Sequence, residues 1–309
     1  MNMTHDHPVA ADRAVPRPFG RVLTAMVTPF TSDGSLDLDG AVRLANHLVD
    51  EQGNDALVLN GTTGESPTTT DAEKERLIRA VVEAIGDRAR VVAGVGTNDT
   101  RHTIELATAA EKAGAHGLLV VTPYYNKPPQ SGLARHFAAV ADATGLPIML
   151  YDIPHRSGVP IETETLVKLA EHDRIVAVKD AKGDLAATSW VTSRTDLAFY
   201  SGEDSLVLPA LAVGCVGVVG TSTHFTGALT RRMIELHDAG DTGAALALHR
   251  RLLPLFTGIF RTQGTILVKA GLAAMGLPAG PVRPPLVDAT PDEIAQLRAD
   301  CAAAGLELS

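Results

Sequence analysis

Eight short apolar runs, each followed by a longer segment of helical spacing, limit what this chain can fold into. The runs are Val22–Val27, Ala56–Leu59, Arg90–Gly94, Gly117–Val121, Pro147–Asp152, Ile175–Lys179, Leu197–Ser201 and Gly217–Gly220. Several are apolar at nearly every position, as in LLVV at 118–121 and GVVG at 217–220. Strands apolar on both faces belong to a parallel sheet covered by helices.

The intervening segments carry helix signals. Thr70 with Glu73 fits a capping box, Leu77, Ile78, Val81, Val82 and Ile85 fall on one face, and Gly86 closes the helix. Gly53, Gly114 and Gly214 each end a helix three positions before an apolar run begins, at Ala56, Gly117 and Gly217. Eight such units in about 220 residues predict an α/β fold of the (β/α)8 TIM-barrel type. The rival is an open doubly wound sheet. It would want a glycine-rich fingerprint at the first turn, which here reads TPFTSDG, and Gly94-Val-Gly96 lacks the third glycine. We assign residues 1–18 to a flexible N-terminal tail and 19–240 to the barrel. Residues 241–309 form a C-terminal helical region, with helices expected over Ala244–Phe260, Ile266–Met275 and Pro291–Ala304.

Composition narrows the class. A chain of 309 residues that is 45% hydrophobic buries a full core. A net charge of −9 argues against a nucleic-acid partner. Cys215 and Cys301 make no disulfide framework and read as reduced thiols of a cytoplasmic protein. No run reaches the roughly 18 apolar residues of a membrane helix. Met1 to Pro18 has three prolines and no apolar centre, so it is not read as a signal peptide.

Barrel chemistry sits at the carboxyl ends of the strands. Those ends carry Gly61-Thr62-Thr63-Gly64-Glu65-Ser66, Thr122-Pro123-Tyr124-Tyr125-Asn126, Tyr151-Asp152, Lys179-Asp180, Ser201-Gly202-Glu203-Asp204 and Thr221-Ser222-Thr223. Three of the four tyrosines lie there. Lys179 closes the apolar run IVAV. Burial disfavours a charged ammonium, and a neutral amine can attack a ketone to form a Schiff base. The competing reading is a lysine snorkelling out of a strand end or paired with Asp180. Hydroxyls on Tyr151, Tyr125 and Thr62 could pass protons; otherwise they are rim residues. Arg156 could clamp a substrate carboxylate, or it is a surface arginine. The histidines form no metal spacing, and His5-x-His7 lies in the tail. GTTGE lacks the ending of a P-loop, and Glu203 with Asp204 would repel a phosphate.

Together GTTGES at 61–66, TPYYN at 122–126, YDIPHRSG at 151–158, VKDA at 178–181 and SGED at 201–204 resemble the dihydrodipicolinate synthase family, which also includes N-acetylneuraminate lyase and related pyruvate aldolases. The resemblance covers about residues 19–305. It implies a barrel with a C-terminal helical region, a homotetramer and a pyruvate Schiff base without metal or organic cofactor. By that resemblance Lys179 forms the Schiff base and Tyr151 moves protons. Thr62 and Tyr125 complete the relay, with Tyr125 near a subunit interface. Thr63, Gly202 and the backbone at Val219 hold pyruvate, and Arg156 meets the carboxylate of aspartate 4-semialdehyde. The arginine favours the synthase branch of lysine and diaminopimelate synthesis. The alternatives are another pyruvate aldolase acting on a sugar acid, or a non-catalytic binding paralogue. His155 and the GTSTH sequence at 220–224 depart from the family pattern at the site entrance and at the pyruvate contacts. In lysine-inhibited members free lysine binds beside the GTTGES loop. The matching positions are Asp71, Lys74 and His102, with Tyr124 and Asn98, and they imply weak inhibition or none.

Overall fold

The computed structural model describes residues 16–308; the assignment of a tail falls largely outside them. Eight parallel strands close a barrel in sequence order: β1 (Val22–Ala25), β2 (Ala56–Leu59), β3 (Arg90–Gly94), β4 (Gly117–Val121), β5 (Ile148–Asp152), β6 (Ile175–Asp180), β7 (Ala198–Ser201) and β8 (Gly217–Gly220), with β8 pairing back to β1. Each apolar run is a strand, and the doubly wound alternative is excluded by the closure.

Eight-strand geometry leaves an interior just wide enough for side chains. Alternation along each strand sorts them into two sets. Inward go Leu23, Val58, Val92, Leu119, Met149, Tyr151, Ala177, Tyr200 and Val219, packed with one another. Outward go Val22, Leu57, Val91, Leu118, Leu150, Val178 and Val218, packed under the helices. Tyr200 and Phe19 plug the amino end, where the Tyr200 hydroxyl donates to the carbonyl of Gly20 at 3.1 Å.

The helices between strands are α1 (Leu38–Asp50), α2 (Asp71–Ile85), α3 (Thr100–Lys112), α4 (Gln130–Asp142), α5 (Pro154–Ser157), α6 (Thr163–Leu169), α7 (Leu185–Thr192) and α8 (Val207–Leu211). After β8 follow α9 (Thr223–Asp238), α10 (Thr242–Gly258), α11 (Gly264–Ala274) and α12 (Pro291–Ala303). The capping box at Thr70 and Glu73 forms as read, and caps of this kind stabilise a helix by about 1 kcal/mol. Leu77, Ile78, Val81 and Ile85 are buried beneath it. Gly53, Gly114 and Gly214 have φ of +67°, +91° and +100°, the left-handed turn that lets the chain leave a helix and enter the next strand. Among the described residues no helix is long and apolar enough to cross a membrane.

Candidate active site

Register decides which side chains meet at the carboxyl end. β5 and β6 pair so that Tyr151 stands beside Lys179, both pointing inward. Lys179 is 6% exposed, and its ammonium lies 4.3 Å from the centroid of the Tyr151 ring. Among the described residues no carboxylate comes within salt-bridge reach of it. Asp180, the alternative partner, is turned outward. It accepts from the Thr188 hydroxyl at 2.7 Å and from the backbone of Lys182 at 2.8 Å. The lysine is thus buried over an aromatic face, with no carboxylate in reach among the described residues.

Gly202 makes room for it. A Cβ at that position would lie 3.1 Å from both Cγ and Cε of Lys179 and 3.0 Å from Cβ of Ala181. The Gly202 amide donates to the Asp180 carbonyl at 2.7 Å. Val219 is buried in β8, inside the same interior cluster as Tyr151.

A cavity of about 540 Å³ opens over this end of the barrel. Thr62, Tyr124, Tyr125, Tyr151 and Arg156 line it, and it extends to Asp71, Lys74 and His102. Lys179, Thr63, Gly202 and Val219 do not line it; Lys179 approaches it through Tyr151. Arg156, on α5, is exposed, and its guanidinium makes no ion pair among the described residues. Tyr125 is 89% exposed, and within one chain it meets neither Tyr151 nor Lys179.

Backbone strain marks the same place. The four non-glycine residues at positive φ among the described residues are Asn60 (+56°), Glu65 (+56°), Tyr125 (+73°) and Lys127 (+45°). They occupy only two loops, β2–α2 and β4–α4, both on the carboxyl face. Such conformations persist where surrounding contacts enforce them, and they cluster at active sites.

Several charged groups here take roles that the reading of the sequence did not assign. Asp152 follows Tyr151 and pairs with Lys182 at 3.2 Å; burial lifts its carboxyl to about 6 against the pull of that lysine. Asp204 is fully buried and accepts from the amides of Thr221 and Ser222, both at 3.1 Å. That use as a brace for the β8–α9 turn accounts for one of the two carboxylates noted after β7. Glu65 is buried against Lys269 of α11. A signal for this pair existed: Lys269 is the lone charge in ILVKAGL at 266–272.

Of Asp71, Lys74 and His102, Asp71 is exposed, His102 is half-buried and Lys74 is buried. Lys74 is buried with its ammonium on the Thr69 carbonyl, and burial pulls its pKa down. Asp71 is engaged by His102 at 2.9 Å. His155 is exposed on α5, beside Arg156. His224, within GTSTH, is wholly buried; its Nε2 accepts from the Val27 amide at 3.1 Å, which leaves Nδ1 to donate to the Thr221 carbonyl at 2.8 Å.

A closed parallel barrel with a buried free lysine, a tyrosine and strained loops gathered at the carboxyl ends of its strands has the architecture of a barrel enzyme. Comparison with known proteins narrows this. Residues 18–304 match the dihydrodipicolinate synthetase family, and the chain belongs to that family of lyases. It is 72% identical over 290 residues to a 4-hydroxy-tetrahydrodipicolinate synthase of Acidothermus cellulolyticus, covering 94% of each chain. It is 67% identical to 4-hydroxy-tetrahydrodipicolinate synthase 2 of Streptomyces coelicolor, over 94% of this chain and 97% of that one. Among solved structures, a dihydrodipicolinate synthase from Cyanidioschyzon merolae with lysine bound is 45% identical with a TM-score of 0.92, over 94% of this chain and all of that one.

Proposed function

We propose that this chain condenses pyruvate with aspartate 4-semialdehyde to give 4-hydroxy-tetrahydrodipicolinate, in lysine and diaminopimelate synthesis. The observation that carries the proposal is Lys179: a buried amine with no carboxylate partner, over the Tyr151 ring and beside the space Gly202 leaves. The names of the curated relatives support the choice of substrates.

In this reading the Lys179 amine attacks the ketone carbon of pyruvate and water leaves, giving an imine. The imine draws electrons from the methyl group, which loses a proton to form an enamine. The enamine carbon attacks the aldehyde. The amine of the second substrate then attacks the imine carbon, closing the ring and releasing Lys179. Protons pass through the Tyr151 hydroxyl, with Thr62 and Tyr125 completing the relay. Thr63, Gly202 and the Val219 backbone receive the pyruvate end, and Arg156 receives the carboxylate of the aldehyde. The exposure of Tyr125 fits a side chain that reaches its site across a subunit interface, in a homotetramer. This chemistry draws on no metal or organic cofactor and suits a cytoplasmic enzyme. With it we propose the domain reading of a barrel over residues 19–240 and a helical region beyond.

Borohydride added with pyruvate should leave a reduced three-carbon adduct on the Lys179 peptide. A coupled assay should then prefer aspartate 4-semialdehyde to sugar aldehydes. An unmodified Lys179 in an active enzyme defeats the mechanism, preference for a sugar aldehyde moves the protein to a sugar-acid branch, and an adduct without turnover makes it a binding protein.

A further inference from the structure

The β2–α2 turn that presents Thr62 and Thr63 is gripped from a helix far away in the chain. Glu65 ends this turn at φ +56° and is 2% exposed, an unfavourable place for a carboxylate on both counts. Its Oε1 meets the Lys269 ammonium at 2.6 Å, and its Oε2 accepts from the Arg283 amide at 2.8 Å. Lys269 is itself 3% exposed; it donates to the Pro281 carbonyl at 2.8 Å and lies 4.2 Å from the centroid of the Phe30 ring. One turn earlier on the same face of α11, the Thr265 hydroxyl donates to the Thr63 carbonyl at 3.1 Å. Residues four apart on a helix share a face. Thr265 and Lys269 therefore hold two points of the turn, two residues apart, from one rigid element.

We infer that Glu65 and Lys269 are positioning residues: their buried ion pair, with the Thr265 hydroxyl, sets where Thr62 and Thr63 stand over the barrel mouth. The inference rests on the roles of Thr62 and Thr63 proposed above. A buried ion pair is costly to assemble and is weak evidence for stability, and in some proteins such pairs specify one conformation. Displacing a reacting group by about 1 Å can cost on the order of a hundredfold in rate. Thr62 and Thr63 serve the pyruvate half-reaction, while Arg156 sits on a different loop and serves the aldehyde.

The test is steady-state kinetics of Glu65→Gln and Thr265→Val, at a temperature where each is fully folded by circular dichroism. Leu252→Ala, buried in α10, is the control for lost stability. For Glu65→Gln we expect kcat/KM for pyruvate to fall ten- to a hundredfold, well beyond any fall in kcat/KM for aspartate 4-semialdehyde. Thr265→Val should show the same asymmetry to a smaller degree, and Leu252→Ala should lower Tm without it. Equal falls for the two substrates, or kinetics unchanged in a folded Glu65→Gln, overturn the inference. If Glu65→Gln does not fold, Thr265→Val alone decides, and its lack of asymmetry overturns the inference. Borohydride trapping of pyruvate on the unaltered enzyme, run alongside, tests the reading of Lys179 separately.

Discussion

Lys179 and Tyr151 stand in register on adjacent strands, with the ammonium 4.3 Å from the centre of the ring. The tyrosine thus offers the lysine two things, an aromatic face and a hydroxyl, and a single substitution separates them. Tyr151→Phe keeps the face. Its kcat should fall about 10²–10⁴-fold, the usual range for a lost acid–base group, with a smaller change in pyruvate KM. Near-normal kcat in the phenylalanine variant would remove Tyr151 from the relay.

Gly202→Ala addresses the space beside the lysine. The added methyl would sit 3.1 Å from Lys179 Cγ and Cε, so that side chain must shift. Overpacking of this kind costs about 1–3 kcal/mol. The fold should therefore survive, while trapping of pyruvate on Lys179 slows at least tenfold. Trapping at the normal rate in a folded variant would mean the lysine has slack that the geometry does not reveal.

Arg156→Ala should be nearly silent for stability, because the exposed side chain has no ion-pair partner among the described residues. It should lower kcat/KM for aspartate 4-semialdehyde about 10–100-fold, as expected for a lost charged hydrogen bond, and leave pyruvate trapping intact. Loss of both steps in equal measure would make the arginine structural.

Lysine should inhibit weakly or not at all at millimolar concentration, although a relative crystallised with lysine bound. Lys74 brings an ammonium to this end of the cavity, and Asp71, which could offset it, is held by His102. A like charge at ~4 Å in a partly exposed site costs on the order of a few kcal/mol, and about 1.4 kcal/mol is tenfold in affinity. Sub-millimolar inhibition, abolished by Tyr124→Ala, would contradict this account.

Acid should destabilise the fold between about pH 6.5 and 4. Burial holds His136 and His224 neutral down to about 4, whereas the unfolded chain protonates them near 6.5. The unfolded state therefore binds more protons in that window, and stability falls as pH drops, by about 3 kcal/mol or less for each histidine. Asp152 works in the opposite sense. Burial lifts it to about 6, so the folded state takes its proton first as pH falls from 6 to 4. Burial lifts Asp204 as well, but it also lowers His116, His155 and His249, so five histidines stand against two aspartates. Urea midpoints should be lower at pH 5 than at pH 7.5, with a shallower fall in His224→Gln; a flat profile would show the histidines to be charged in the fold.

The barrel was legible because its signals are local. Continuous apolar runs, a capping box at Thr70 and left-handed glycines before β2, β4 and β8 each act over a few residues, and every run became a strand to within two residues at either end. The connections after β5 and β7 were not legible. α5 and α8 are four and five residues long, too short to display a helical period. The site divides in the same way. Lys179 announced itself by closing an apolar strand, and Tyr151 by its strand end. The grip on Glu65 showed only as the lone charge of Lys269 in an apolar stretch; its partners stayed hidden, since it depends on residues such as Thr63 and Thr265, 202 positions apart, being neighbours in space. Nor does a sequence state that Asp180 turns outward to Thr188 and that Lys179 has no carboxylate partner among the described residues.

That separation has a consequence for the order in which the protein is made. Strand β6, which carries Lys179, and the β2–α2 turn with Thr62 are synthesised well before the helix that clamps that turn, and β1 must wait for β8 to close the ring. A ribosome part-way along the message therefore holds a chain that has Lys179 but no closed ring around it. The Thr63 carbonyl and the Glu65 carboxylate gain their partners only when α11 has emerged and docked, so the β2–α2 turn is the part of the barrel mouth that is fixed last.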